Sequence, residues 1–172
     1  MATQLFKLVI DANTIGQGLV DALLEEQVDP STGETLGCWA TINTEQESED
    51  PNAPEYIYAL KSQGINHDII INFINMIEGG KVQLLEKRID NSEEYVKKEV
   101  RPFASTDGLL DELANLKIKD LDGGKFSVIQ QTKAVDKDKY SALAYGLYYI
   151  DRYEDNYTKE QEGDMSDYLL IN

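Results

Sequence analysis

The stretch that decides the fold is LFKLVIDANTIGQGLVDALL, residues 5–24. Its first part, LFKLVID, is rich in apolar residues and ends at Asp11, a pattern typical of a buried strand followed by a polar turn. Beyond the turn, apolar residues recur at helical spacing; they are Ile15, Leu19, Val20, Leu23 and Leu24. The sequence therefore predicts a strand, a tight turn and a helix over about residues 14–26.

Short strands and helices continue to alternate along the rest of the chain. Strands are predicted at 56–60, 81–85 and 126–130, and helices from Asn66 to Gly79-Gly80, at 109–116, and from Lys139 to about Tyr153. A loop rich in Pro, Gly and acid spans about 28–54, where partial disorder is expected. This pattern predicts one α/β domain over residues 1–153 and an acidic tail over 154–172.

Bulk composition excludes several classes of protein. With 172 residues, of which 41% are hydrophobic, the chain suffices for one compact core. It has no apolar run of about 18 residues, and the start MATQLFKLVID lacks the pattern of a secretory signal, so we expect no membrane segment. One cysteine, Cys38, and one histidine are too few for an internal disulfide or a Cys/His zinc site. These features predict a reducing, cytosolic setting.

The formal net charge of −16 argues against DNA binding, but the charge is unevenly distributed. Residues 25–55 carry nine acidic and no basic residues, and residues 151–172 carry seven acidic and two basic ones. The remaining chain has sixteen acidic and fourteen basic residues and is nearly neutral. A DNA-facing surface is therefore permitted outside the two acidic segments.

Two aspartates stand where α/β proteins place reacting groups. Asp11 closes the first predicted strand, and Asp138 precedes the last predicted helix. Carboxylates brought together in space bind Mg²⁺ or Mn²⁺, and two such ions can clamp the attacking and leaving oxygens of a phosphodiester. Asp11 and Asp138 are therefore candidate metal ligands, with Asp136 as an alternate ligand.

Each of these aspartates also has a purely structural interpretation. Asp11 can close an Asx-turn with the N–H groups near Asn13. Asp138 can cap the final helix by accepting hydrogen bonds from backbone N–H groups. Asp21, in the middle of the first helix, is a weaker candidate, because a residue there is most often solvated.

Other motifs are weaker still. Gly16 and Gly18 resemble a fragment of a phosphate-binding loop, but IGQG is too short for a dinucleotide fingerprint and no Lys-Ser/Thr follows. His67 beside Asp68 has the chemistry of a general base, although a surface histidine is the plainer interpretation. Three lysines lie near Asp138 in the sequence: Lys133, Lys137 and Lys139. Contact with phosphate oxygens and an ordinary run of solvated charges explain them equally well.

Two stretches together resemble the nuclease domain of tailed-phage terminase large subunits. LVIDANTIGQGLVDALLEE (residues 8–26) resembles the strand and helix that carry the family's second catalytic carboxylate, and DKDKYSALAYGLYYI (136–150) resembles the closing segment that carries the last. The intervening YIYALKSQGINHDIIINFINMIEGGKVQLLEKR (56–88) has a similar layout. Carried over by position, Asp11 matches the mid-domain carboxylate and Asp138 the final one.

The resemblance implies a fold, an activity and partners. The fold is an RNase H-like mixed sheet flanked by helices, and the activity is metal-dependent cleavage of concatemeric double-stranded DNA with two Mg²⁺ or Mn²⁺ ions. The implied partners are double-stranded DNA, the ATPase and N-terminal part of the large subunit, the portal and the small terminase subunit. The implied location is the host cytoplasm.

The sequence departs from the family at its start. It begins at what corresponds to the fourth strand of the fold, and the first strands, one of which bears another catalytic aspartate, are not seen. We expect an exposed sheet edge that a partner chain covers, and cleavage only once the missing strands are supplied. The competing interpretation, from the net charge and residues 25–55, is a non-catalytic acidic protein or DNA mimic that binds a basic partner.

Overall fold

A computed structural model describes residues 7–85 and 97–154, except for the side chains of 97–101 and of Glu154. The architecture is mixed α/β, as predicted, and the chain divides into two compact units, Met1–Ile65 and Asn66–Asn172. In the described part, no helix combines the length and apolarity needed to cross a lipid bilayer. Beyond Glu154, the predicted acidic tail lies outside the described residues.

The first unit is built on a small parallel sheet. Its described elements are β1 (Leu8–Asp11), α1 (Ile15–Leu24), β2 (Gln27–Val28), β3 (Thr35–Gly37), β4 (Ala40–Thr41) and β5 (Glu55–Leu60). The sheet order is β1-β5-β4 with both pairings parallel, while β2 and β3 form a separate antiparallel pair. In register, Asp11 lies beside Leu60, so β1 and β5 end at the same edge of the sheet.

The central strand β5 holds the core of this unit. Its last four residues, 57–60, are all buried, as expected for a parallel strand that is covered on both faces. Helix α1 contributes Val20 and Leu24 to the same core cluster, where they join Ile10 and Ile57. Burial of these apolar side chains against the sheet is what orients α1 after the turn at Asp11.

The second unit combines three helices and a β-hairpin in its described residues. Its elements are α2 (Asn66–Glu78), α3 (Lys97–Ala114), β6 (Leu116–Leu121), β7 (Lys125–Gln130), α4 (Asp138–Tyr149) and a π-helical turn (Ile150–Glu154). Strands β6 and β7 pair antiparallel around Asp122-Gly123-Gly124, where both glycines have positive φ, +80° and +72°. Helix α2 packs on α4 and on β7, with Phe73 edge-to-face against Tyr140.

Several sequence predictions are confirmed in this architecture. The strand ending at Asp11 is present, and the helix after it runs over 15–24, two residues shorter at its end than predicted. The strands at 56–60 and 126–130 agree within one residue. The helix from Asn66 ends at Glu78, directly before Gly79-Gly80. The final helix runs to Tyr149, and the π-helical turn completes the predicted span.

Other predictions are wrong, for identifiable reasons. Residues 81–85 form no strand, because a short apolar run needs a neighbouring strand to pair with and none of the described strands pairs with it. The helix predicted at 109–116 is the end of the longer α3, and Leu116 instead begins β6. The loop over 28–54 contains β3 and β4, so it is more regular than expected.

Candidate functional site

Asp11 ends β1 with an exposed side chain and organises the turn that follows. Its Oδ1 accepts hydrogen bonds from the backbone N–H of Asn13, at 3.1 Å, and from the Asn13 side-chain amide. The same amide donates to Ser62 Oγ at 2.8 Å, just beyond the end of β5. The Asx-turn interpretation of Asp11 is thus confirmed, and the turn is tied to the neighbouring strand.

The turn forces the backbone into an uncommon conformation. Thr14 has φ +48° and ψ −103°, which is rare for a β-branched residue and costs about 1–3 kcal/mol. Two residues later, a Cβ placed on Gly16 would overlap the carbonyl oxygen of Asp11, whereas a Cβ on Gly18 would meet nothing within 4 Å. Gly16 therefore serves the close approach of α1 to β1, a steric role that the sequence motif alone did not identify.

Asp21 lies in a hydrogen-bonded network on the exposed face of α1. Its Oδ1 accepts from Gln46 Nε2 at 2.7 Å and from Gln17 Nε2 at 2.8 Å. These two bonds, with the one from Gln46 the stronger influence, hold the pKa of Asp21 below its ordinary value. Asp21 therefore helps to hold the 42–54 segment against α1.

An acidic cleft opens beside this network. It has a volume of about 570 Å³, and its lining consists of Asp21, Leu24, Glu25, Glu26, Glu47, Ser48 and Glu49. The carboxylate of Glu49 accepts a hydrogen bond from the backbone N–H of Glu26 at 2.7 Å, which fixes one wall. The cleft gives the acid-rich segment at 25–55 a defined shape that the sequence did not reveal.

Asp138 is the first residue of α4, and its side chain is exposed. The N-cap position belongs to Lys137, which makes no side-chain capping hydrogen bond. Asp138 is therefore not the cap that one sequence interpretation proposed, although its negative charge in the first turn complements the helix dipole. Asp136 is also exposed and precedes it by two residues.

The capping role belongs to Glu112, a residue of α3 that the sequence analysis missed. Glu112 is 2% exposed; its Oε2 accepts the backbone N–H of Tyr140 at 2.9 Å, and its Oε1 accepts Lys139 Nζ at 3.0 Å. Burial raises the pKa of Glu112, but these bonds outweigh it and leave the pKa below its ordinary value. Leu109 and Glu112 are both buried at helical spacing, and a carboxylate on an apolar face was the available signal.

His67 has a structural contact within the second unit. Its Nδ1 accepts a hydrogen bond from the backbone N–H of Phe126 at 3.0 Å, and the two rings lie 5.3 Å apart between centroids. Because Nδ1 is the acceptor, the neutral imidazole carries its proton on Nε2. His67 thus fastens the start of β7 to α2.

Asp11 belongs to the first compact unit and Asp138 to the second. Coordination of one cation by both residues therefore remains a prediction. Over residues 7–85 and 97–154, no three Asp, Glu, His or Cys side chains form a group able to hold a metal ion.

Comparison with known proteins gives no match, whether with family models, with curated proteins or with solved structures.

Proposed function

We propose that the chain is part of the nuclease domain of a tailed-phage terminase large subunit and cleaves double-stranded DNA with Mg²⁺ or Mn²⁺. The observation that carries the proposal is the place of Asp11, an exposed carboxylate at the carboxyl end of β1 in a parallel sheet. In α/β proteins this edge is where ligands and reacting groups gather, because the strands fix the backbone while the loops leave the side chains open.

The local structure of the two resembling stretches supports the proposal. LVID forms β1 and IGQGLVDALL forms α1, the strand and helix that the resemblance implies. DKYSALAYGLYY forms α4, which places Asp138 at its first position. The proposed fold for the completed domain is RNase H-like, in which β1 and β5 are neighbouring parallel strands of a larger sheet.

The donor chemistry of the proposed site suits hard divalent cations. Asp11 and Asp138 are the proposed ligands, with Asp136 as an alternate, and all offer carboxylate oxygens. Two bound ions would supply an activated water and stabilise the charge on the phosphate. The Asx-turn orients Asp11 through its Oδ1, and Glu112 fixes the start of α4 and hence the position of Asp138.

A partner strand at the edge of β1 belongs to the same proposal. Among the described residues β1 pairs with β5 alone, so one row of its backbone N–H and C=O groups faces away from the sheet. Such an edge is usually covered by another segment. We propose that the N-terminal part of the large subunit, with its ATPase, supplies a strand and a further carboxylate here, and that the portal and small subunit join the assembly.

Calorimetric titration with Mn²⁺ tests the metal site on the chain itself. Asp11→Asn and Asp138→Asn should each weaken Mn²⁺ binding, and the double variant should lose little more than either single one, because both ligands hold the same ion. Asp111→Asn, at an exposed position in α3 outside the proposed set of ligands, removes the same charge and should bind as the parent does. Additive losses would place the two aspartates at separate sites.

Plasmid nicking tests the reaction. In an assembly that contains the N-terminal strands, Asp11→Asn and Asp138→Asn should abolish Mn²⁺-dependent nicking, while Asp111→Asn should keep it. Unchanged nicking by both site variants would reject these two residues as catalytic ligands.

The second candidate function is a non-catalytic acidic protein that binds a basic partner, for example as a DNA mimic. The observation in its favour is the acidic cleft, where five carboxylate residues of the first unit line one cavity. Replacing Glu25, Glu47 and Glu49 with Gln should then abolish partner capture and leave Asp11 and Asp138 dispensable. Nicking that survives these changes and is lost with Asp11→Asn would instead support the nuclease.

A further inference from the structure

The β6–β7 hairpin has one face that is basic in an otherwise acidic chain. In its register Lys117 lies opposite Ile129, Lys119 opposite Ser127, and Lys125 opposite Leu121. Because paired residues of an antiparallel ladder point to the same side and successive residues alternate, these three pairs share one face. All three lysines are exposed. The face thus carries three positive charges and no carboxylate.

The other face of the hairpin packs on its own unit. It consists of the alternate pairs, including Ile118 with Val128 and Asp120 with Phe126. Phe126 contacts His67 of α2, and Val128 and Ile118 line an apolar groove with Ile70 of the same helix. Lys117 also borders this groove, whereas Lys119 and Lys125 are not among its lining residues, and Asp120 lies on the face opposite the lysines.

The three lysines are closely spaced on their face of the hairpin. Lys117 and Lys119 are about 7 Å apart along β6, and Lys119 and Lys125 lie on a diagonal of about 7–8 Å. Over residues 7–85 and 97–154, none of the three forms an ion pair, in contrast to Lys139 with Glu112. Like charges at this spacing repel each other, and each lysine lies opposite an uncharged residue, which limits that repulsion without removing it.

We propose that this lysine face, defined by Lys117, Lys119 and Lys125, binds the phosphate backbone of double-stranded DNA. A row of ammonium groups on a β-ribbon is complementary to a line of phosphates, and binding releases the counterions condensed on the duplex. The choice of DNA as occupant rests on the proposed function. The aliphatic residues between the lysines, Ile129 and Leu121, are 44% and 43% exposed and keep the face free of competing carboxylates.

Fluorescence anisotropy with a labelled duplex of about 20 base pairs tests the face, and EDTA keeps metal binding and cleavage out of the measurement. Replacing all three lysines with Gln should weaken binding at least about tenfold near 0.1 M salt. It should also reduce the steepness of the plot of log association constant against log salt concentration by about 3, because each lost phosphate contact contributes about 0.9. Replacing all three with Arg keeps the charge and should keep both the affinity and the slope. Lys81→Gln, at an exposed residue outside the hairpin, should change neither.

The outcomes separate this inference from the proposed nuclease. Absence of duplex binding by the parent chain, or an unchanged salt slope in the triple Gln variant, would overturn the lysine face even if nicking is observed. Binding that depends on the lysines in a protein whose assembly never nicks DNA would instead uphold the face and reject the nuclease. Circular dichroism of the Gln variant checks that the hairpin still folds.

Discussion

Glu112 on α3 accepts a hydrogen bond from the backbone N–H of Tyr140 at 2.9 Å, so the first turn of α4 is capped by a residue 28 positions earlier in the chain. The same carboxylate accepts Lys139 Nζ, so the helix that begins with Asp138 is held at two consecutive residues. A substitution at Glu112 should therefore alter the position of Asp138 although Asp138 itself is unchanged, because the cap fixes where α4 begins.

Removing this cap should destabilise the second unit. Glu112→Ala leaves the N–H of Tyr140 buried without its acceptor, and we expect a loss of about 1–3 kcal/mol in the free energy of unfolding. Glu112→Gln keeps an acceptor oxygen and should lose less. Urea denaturation measures both, and Asp111→Ala, next in sequence but exposed, is the matched control. Equal stability of the two Ala variants would show that Glu112 does not hold the helix.

The stability contributed by Glu112 should also depend on pH. Its pKa is below the ordinary value of 4.5, because the bonds from Tyr140 and Lys139 outweigh the effect of burial. A group with a depressed folded pKa stabilises the fold above its unfolded pKa, and this stability is lost as the pH falls through the folded value. The difference in thermal midpoint between the parent and Glu112→Gln should thus be greatest above the ordinary pKa of 4.5 and shrink as the pH falls below it. A constant difference over this range would contradict the ionised pair.

The turn after β1 yields a matched pair of glycine substitutions. Gly16→Ala places a methyl group on the carbonyl oxygen of Asp11, so α1 must shift, and we expect a loss of about 2 kcal/mol or more. Gly18→Ala meets nothing within 4 Å and should stabilise the helix by about 0.5–1 kcal/mol. Thermal unfolding followed by circular dichroism measures both. Similar effects at the two positions would contradict the close approach of α1 to β1.

Local patterns carried most of the fold prediction, and long-range contacts account for what was missed. β1, α1, α2 and α4 follow from runs of apolar residues and from stops such as Gly79-Gly80. Glu112 was missed because its partners lie on another helix, and spacing within α3 gives no information about them. β6 was missed because Leu116 and Ile118 alternate with lysines over a stretch too polar to indicate a buried strand, and its inner face becomes apparent only when β7 is paired to it.

The site was predictable to a similar degree. The sequence located Asp11 at the end of a strand and named the Asx-turn that it forms, because the acceptor and donor are two residues apart. For Asp138 the sequence left capping and metal binding open, and the structure removes capping, since Lys137 is the N-cap and Glu112 accepts the backbone N–H of Tyr140. The local sequence around Asp138 indicates where the helix begins. The residue that caps this helix, Glu112, comes from another helix, and the local sequence gives no information about it.

A shared cation sets an upper limit on the distance between Asp11 and Asp138. Carboxylates that share an ion or a bridged pair of ions must lie within roughly 10 Å of each other, since two such metals are about 3.5–4 Å apart. We expect Asp11→Cys combined with Asp138→Cys to be joined within one chain by a thiol cross-linker of about 10 Å span, a reach set by that same geometry. Cys38→Ser provides the background, because it removes the native thiol and keeps a polar atom beside Ser48.

Mass spectrometry of the digested product identifies the bridged peptides, and gel mobility separates bridges within one chain from those between chains. Asp11→Cys paired with Asp122→Cys, at the tip of the hairpin, is the reference for unspecific capture, because no shared ion is proposed there. Equal yields from the two pairs, or no bridge within one chain at positions 11 and 138, would show that the two aspartates are too far apart to share a cation. The proposed metal site would then be rejected. A preferential bridge between Asp11 and Asp138 would bring them within reach of one cation before any metal is added.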